Sequence, residues 1–187
     1  MQTRCLRPLL VGMLAWCLVM SSSAADSLIP VNTRPDVTTS YWWMPRDGAT
    51  ATVVLFSGGT GGIGFRDGEP KSGNFLIRSR DEFAKAGFNV ALMGNPSDMP
   101  KLTPVFRQSS EHFVDVRSVV QDIRARSHVP IWLVGTSQGT ISAAAAGIDL
   151  GVTGEGVAAR QGQGAGAHFG QSAGLRNHAA EGGAGVV

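Results

Sequence analysis

The sequence predicts an α/β fold that is built on a parallel sheet. Three short apolar segments, 51–56, 88–93 and 131–134, have the composition of strands that are buried on both faces. Segments with helical spacing separate them, and this alternation predicts parallel strands that are joined by right-handed crossovers. The last 37 residues contain 11 glycines and 8 alanines, so the predicted sheet is not expected to continue through them.

The first 25 residues have the three parts of a secretory signal peptide. Arg4 and Arg7 precede an apolar run, Leu9–Met20, and small residues then continue to Ala25. The run is shorter than the ~20 residues that cross a bilayer, so no stable membrane anchor is expected. We therefore expect a secreted or periplasmic protein that is cleaved near Ala25.

Cleavage there would leave residues 26–150 as a partial domain and residues 151–187 as a Gly/Ala-rich tail. It would also remove both cysteines, Cys5 and Cys17, so that no disulfide could form. The remaining 14 basic residues balance 14 acidic residues. Nucleic acid requires a basic excess, so no nucleic-acid partner is expected.

The other elements follow from caps and spacing. Between 26 and 47, prolines interrupt the pattern, and one short strand near a sheet edge is predicted. Asn74 and Gly87 are suited to begin and end a helix, and a second helix is predicted from Ser109 to Arg126 because its apolar residues share one face.

The segment around Ser137 has the pattern of a nucleophile elbow, a sharp turn between a strand and a helix. Gly135 and Gly139 flank the serine at the two positions where the turn leaves no room for side chains. Such a turn lifts the hydroxyl away from the sheet. It also points the N–H of Gln138 towards the site where a carbonyl oxygen would become negative.

A glycine-rich loop, 57–64, follows the first buried strand and allows two interpretations. Gly59, Gly61 and Gly64 match the Gly-x-Gly-x-x-Gly pattern of dinucleotide sites. That pattern requires a helix opening at the loop, but residues 65–73 contain three helix breakers and no apolar period. The alternative interpretation is an oxyanion loop, whose N–H donors would be those of Gly58 and Gly59.

Residues 51–147 resemble the N-terminal half of the α/β-hydrolase fold, through the loop 57–62 and the elbow 135–139. Short sequence motifs at 95–98, 106–107 and 111–112 are similar to those of secreted bacterial α/β-hydrolases of unassigned substrate. The resemblance implies an acyl-enzyme on Ser137 and a small-molecule ester or acyl substrate. It implies neither a metal ion nor a cofactor.

The acid and the base of a catalytic triad are not identified by the sequence. In the elbow type of hydrolase both follow the serine, whereas His112 and His128 precede Ser137. A histidine packed on a helix and a histidine in a surface loop explain these two residues better. Asp98 follows a strand and is equally well explained as a functional residue and as a turn residue.

The tail offers Glu155, His168 and His178 as weak candidates for the acid and the base. The sequence predicts no strand there to carry them, and the tail is expected to be disordered because it has little apolar surface to bury. The change in composition is also consistent with a truncated or frame-shifted gene product. An alternative function is therefore a non-catalytic remnant or a binding module on the same fold.

An incomplete sheet has a consequence for solubility. If no strand follows the elbow helix, the outer edge of Ile131–Val134 lies exposed, apolar and uncharged. Such an edge favours pairing between molecules, so the mature chain alone is expected to aggregate or to fold only in part.

Overall fold

The computed structural model describes residues 24–150 and 184–186, which form a six-stranded mixed sheet, a small hairpin and the helices that cover the sheet. The strands of the main sheet are β1 (Ser27–Arg34), β2 (Val37–Met44), β3 (Ala51–Phe56), β6 (Phe88–Pro96), β7 (Ile131–Gly135) and β8 (Ala184–Val186). The hairpin consists of β4 (Phe65–Arg66) and β5 (Glu69–Pro70). The helices are α1 (Phe75–Arg78), α2 (Arg80–Lys85), α3 (Ser110–Arg126) and α4 (Gly139–Asp149).

The main sheet has the strand order β1-β2-β6-β3-β7-β8. The three predicted buried strands pair in parallel, with β3 between β6 and β7, which confirms the α/β prediction. Alternate residues of β3 enter two cores. Val54 and Phe56 pack with α3 and α4, whereas Val53 and Leu55 pack with α1 and α2. Because helices cover both faces, the central strands are predominantly apolar, with Thr52 and Asn89 as buried polar exceptions.

The prediction of one short edge strand before residue 47 is wrong. The structure has two strands there, and β1 and β2 pair antiparallel around a turn in which Asp36 has a φ of +57°. β2 lies inside the sheet, between β1 and β6, and only β1 is at the edge. Pro30 is compatible with β1 because an edge strand leaves one row of backbone groups unpaired.

The predicted helix from 74 to 87 is split in two. Asn74 does cap it, since its side chain accepts a hydrogen bond from the N–H of Leu76. The chain then leaves helical geometry at Ser79, and the Arg80 guanidinium donates to the carbonyl oxygen of Ile77 at 2.9 Å. That carbonyl would otherwise accept the next helical hydrogen bond. Gly87 ends the second helix with a φ of +87°, as predicted.

The exposed outer edge predicted for Ile131–Val134 is wrong for most of its length. β8 pairs in parallel with β7 and places residues 184–186 opposite 131–133. The tail therefore contributes one strand, which the sequence did not predict. The expected disorder of 151–183 and the signal peptide both concern residues outside the described part, except for Ala24 and Ala25. No helix among the described residues is long and apolar enough to cross a membrane.

Candidate active site

Ser137 lies at the turn between the carboxyl end of β7 and the start of α4. Its φ is +52°, in the left-handed region that residues with side chains rarely occupy, and it is exposed. A Cβ added to Gly135 would lie 2.5 Å from the carbonyl oxygen of Gly139. A Cβ added to Gly139 would overlap the carbonyl oxygen of Phe56. The predicted steric need for both glycines is confirmed.

The glycine-rich loop meets this turn because β3, which it follows, is the neighbour of β7 in the sheet. A Cβ added to Gly58 would lie 3.1 Å from the Cβ of Ser137 and 2.8 Å from the carbonyl oxygen of Thr136. The backbone of Gly58 is thus in contact with the turn. The loop then enters the β4–β5 hairpin, and the next helix begins only at Phe75, so the helix that a dinucleotide site needs does not open at the loop.

The three predicted oxyanion donors lie around the Ser137 turn or in the loop beside it. Within the described residues, the backbone N–H groups of Gln138, Gly58 and Gly59 donate no hydrogen bond to the protein. The Ser137 hydroxyl likewise has no hydrogen-bond partner in the described part of the chain. Residues 24–150 and 184–186 thus supply no partner that would compete with a ligand for these groups, and their roles as nucleophile and donors stay predictions.

Arg107 holds the glycine-rich loop from behind. This side chain is fully buried and donates to the carbonyl oxygens of Ser57 at 3.2 Å and Gly59 at 3.1 Å. It also donates to the Ser142 hydroxyl at 2.8 Å. Burial lowers the pKa of Arg107 to about 10, so the guanidinium stays charged at neutral pH. Its main effect is to fix the loop and α4 relative to each other.

His112 lies in the first turn of α3, where Ser109 caps the helix by accepting from the N–H of His112. The imidazole is 1% exposed, and its Nε2 lies 2.9 Å from the Ser142 hydroxyl. Burial, together with the charge of Arg107, lowers the pKa of His112 to about 4. It is neutral at pH 7 and packed in the core, which confirms the interpretation of this residue as a helix-packed imidazole.

Asn95 connects the end of β6 to the same loop. Its Nδ2 donates to the carbonyl oxygens of Thr60 at 3.0 Å and Pro100 at 2.8 Å. The loop approaches so closely that a Cβ added to Gly61 would overlap the Asn95 Oδ1. Gly61 is therefore required both by this contact and by its φ of +76°.

Asp98 is held in an ion pair rather than being free at the site. Arg34 donates to both of its carboxylate oxygens, at 2.9 and 2.8 Å. These hydrogen bonds hold the pKa of Asp98 below its usual value. The same guanidinium binds the buried Asp115 at 2.9 and 3.0 Å, so the β1–β2 turn, the loop after β6 and α3 are tied together. The structure thus favours the turn interpretation of Asp98.

The remaining candidates do not meet Ser137 in the described part of the chain. His128 is exposed between α3 and the first residue of β7, at the end of that strand opposite to Ser137. Glu155, His168 and His178 lie outside the described residues. Within 24–150 and 184–186, no group of three or more His, Cys, Asp or Glu side chains is placed to hold a metal ion.

The cluster of Asn95, Arg107, His112 and Ser142 behind the loop was not predicted from the sequence. Arg107 appeared only in a short sequence motif and His112 only as a helix-packed imidazole and in such a motif. Nothing in their spacing relates them to Ser142, which lies 30 to 35 residues further along the chain. The one available signal was an Arg and a His beside the start of a helix whose buried face is otherwise apolar except for Asp115.

Comparisons with known proteins concern the fold. No protein-family model matches the sequence, and no curated protein matches it. Among solved structures, DcsB in complex with its substrate analogue is 20% identical with a TM-score of 0.51, over 67% of this chain and 42% of that one. A lidless α/β serine hydrolase from Xanthomonas campestris is 14% identical with a TM-score of 0.49, and the match covers 68% of this chain and 57% of that one. A Pyrococcus furiosus esterase is 22% identical with a TM-score of 0.44, and the match covers 63% of this chain and 44% of that one.

This chain therefore spans between 42% and 57% of the length of these three proteins. The mixed, mostly parallel sheet, the helices on both faces and the sharp turn after β7 define an α/β-hydrolase-type fold over the described part of the chain.

Proposed function

We propose that this protein is a secreted serine hydrolase that cleaves an ester or a related acyl bond of a small molecule. The observation that carries the proposal is the contact between Gly58 and the turn of Ser137, where a Cβ on Gly58 would lie 3.1 Å from the Ser137 Cβ. This contact brings the loop next to an exposed hydroxyl, and the N–H groups of Gly58 and Gly59 have no partner among the described residues. Acyl transfer needs such an arrangement of hydroxyl and N–H donors.

In the proposed reaction, the Ser137 Oγ attacks the carbonyl carbon while a base removes the hydroxyl proton. The carbonyl oxygen becomes negative and accepts hydrogen bonds from the N–H of Gln138 and from those of Gly58 and Gly59. Collapse of this intermediate breaks the bond to the leaving group, which takes the proton. Water then hydrolyses the acyl-enzyme, and its proton returns to Ser137.

The test is covalent labelling of the full chain by a fluorophosphonate. Ser137→Ala should abolish labelling because the nucleophile is lost, whereas Ser110→Ala, at an exposed serine on α3, should leave the labelling rate unchanged. Labelling is read by mass spectrometry after proteolysis. Phosphonylation that persists in Ser137→Ala, or that maps to another serine, would remove the basis of the proposal.

A second candidate is a non-catalytic remnant or a binding module. It is favoured by one observation: among the described residues, neither His112 nor His128 contacts Ser137. An oxyanion site without triad partners still accelerates hydrolysis by on the order of 10³–10⁴ over water. Steady-state hydrolysis of p-nitrophenyl acetate separates the two candidates, because turnover well above that residual rate, lost in Ser137→Ala, excludes the remnant.

A further inference from the structure

A small cavity lies behind the glycine-rich loop and is lined by the loop, the end of β6 and the start of α3. Its volume is about 10 Å³, and its lining includes Gly61, Asn95, Arg107 and His112. A cavity that holds one water molecule needs ~10–15 Å³ and two to four polar partners. The size of this cavity is therefore at the lower limit for a single water.

The polar partners are present in the lining. Asn95 Oδ1, Arg107 Nε and His112 Nδ1 are the buried side-chain atoms that have no hydrogen-bond partner among the described residues. All three belong to residues that line this one cavity. A buried polar group without a partner is unfavourable, so three such atoms around one cavity call for a shared ligand.

The hydrogen-bonding character of two of these atoms is determined by their neighbours. Asn95 directs its Nδ2 at two carbonyl oxygens, those of Thr60 and Pro100, so the atom at the cavity is the acceptor Oδ1. The Nε of Arg107 always carries a proton and is a donor. The cavity thus offers at least one acceptor and one donor.

The hydrogen-bonding character of the third atom, His112 Nδ1, follows from the tautomer of the imidazole. The Ser142 hydroxyl already accepts from Arg107, and the His112 Nε2, at 2.9 Å, is the acceptor that the described residues offer to its proton, so we assign this proton to the bond with Nε2. A neutral imidazole that accepts at Nε2 carries its proton at Nδ1. Because the lowered pKa of His112 keeps the ring neutral at pH 7, Nδ1 is a donor towards the cavity.

We propose that this cavity is a binding site for one water molecule. The water accepts hydrogen bonds from Arg107 Nε and His112 Nδ1 and donates one to Asn95 Oδ1. The two donors disfavour a metal cation, and the carbonyl oxygen of Asn95 disfavours an anion. The site is independent of the proposed hydrolysis. Its water would connect His112 on α3 and Asn95 at the end of β6 with Arg107, which holds the glycine-rich loop.

The test uses a matched pair of variants of the full chain. His112→Gln keeps a polar atom near the position of Nε2, so it can still bind Ser142, but it removes the donor at Nδ1. His112→Asn keeps a donor near Nδ1 and loses the contact with Ser142. The readout is the rotating-frame Overhauser cross-peak between the Arg107 Nε proton and the water resonance, which reports a long-lived buried water.

We expect the cross-peak in the unmodified chain and in His112→Asn, and its loss in His112→Gln. Absence of the peak in the unmodified chain, or equal peaks in both variants, would overturn the proposal. A crystal structure of the unmodified chain is the second measurement. One ordered oxygen within hydrogen-bond distance of all three atoms supports the site, whereas no density, an ion, or protein partners for these atoms refute it.

Discussion

Gly139 lies closer to the neighbouring strand than a residue with a side chain could. A Cβ at this position would overlap the carbonyl oxygen of Phe56 and lie 2.8 Å from its carbonyl carbon. The obstacle is backbone at the junction of β3 and the loop, which cannot rotate away as a side chain could. The elbow is therefore defined by packing between two adjacent strands as well as by its own turn.

Gly139→Ala is expected to destabilise the fold by ~3 kcal/mol or more, since the strand and the helix must separate to admit the methyl group. The matched control is Gly73→Ala, because Gly73 has no atom within 4 Å of an added Cβ. The control should change the free energy of unfolding by less than ~0.5 kcal/mol. Urea denaturation measures both, and similar values for the two variants would contradict the steric argument.

A pH dependence follows from the buried imidazole of His112. Its pKa is about 4 in the folded protein against 6.5 for a free histidine. The unfolded chain therefore binds more protons between these values, and the free energy of unfolding should rise as the pH rises from 4 to 6.5. Above that range the titration of His112 no longer changes the free energy of unfolding. The total rise across the range is on the order of 3 kcal/mol.

The check is urea denaturation as a function of pH. His112→Gln should flatten the slope between pH 4 and 6.5, whereas His128→Gln, at an exposed histidine, should leave the slope as it is. If His128→Gln flattens the dependence of the free energy of unfolding on pH instead, a group other than His112, or the unfolded state, controls the acid sensitivity.

At the scale of elements, Arg107 joins the 3₁₀ turn Phe106–Gln108 to the glycine-rich loop and to α4. The 3₁₀ turn and the loop are short or irregular, and the hydrogen bonds of one guanidinium fix their positions relative to α4. The predicted oxyanion donors lie on that loop or on the turn before α4. A displacement of ~1 Å at such a site can cost ~10²-fold in rate.

Arg107→Met is accordingly expected to slow the labelling of Ser137 by ~10- to 100-fold, because the loop loses the donors that hold its carbonyl oxygens. Arg107→Lys should recover part of the rate, since an ammonium can reach at least one of these oxygens. The exposed Arg66, on the β4–β5 hairpin, provides the control variant Arg66→Met. A rate unchanged in Arg107→Met would show that the loop does not depend on this residue.

At the scale of the whole molecule, the sheet ends differently at its two edges. At one edge, β1 pairs with β2, which follows it directly in the sequence. At the other edge, β8 pairs with β7, although the two strands lie far apart in the sequence. The inner edge of Ile131–Leu133 pairs with β3, and β8 covers its outer edge. The solubility of the protein should therefore depend on three residues near its C-terminus.

Ending the chain at Gly183 removes β8 and should increase aggregation, because an apolar and uncharged strand edge becomes available to other molecules. Removal of Val187 alone is the control, since it leaves the paired residues in place. Static light scattering during a thermal ramp compares the variants. Equal aggregation of the two shortened chains would mean that β8 does not protect the edge.

The parts of this fold that could be predicted from the sequence are those with a local pattern. The three parallel strands, α3 and the elbow each depend on the spacing of apolar residues or on glycines a fixed distance from one serine. Backbone geometry imposes these periods on any chain. The position of Ser137 at an exposed turn could therefore be derived without coordinates, although its chemical role stays a prediction.

Only the tertiary structure decided the contacts between distant polar groups. Arg34 binds a carboxylate 81 residues away, and Arg107 binds a loop about 50 residues before it. Such pairs have no period, and each member has alternative partners until the sheet order brings the right elements together. The same reason explains β8: a Gly/Ala-rich segment has no strand pattern of its own and becomes a strand by pairing with the edge of β7.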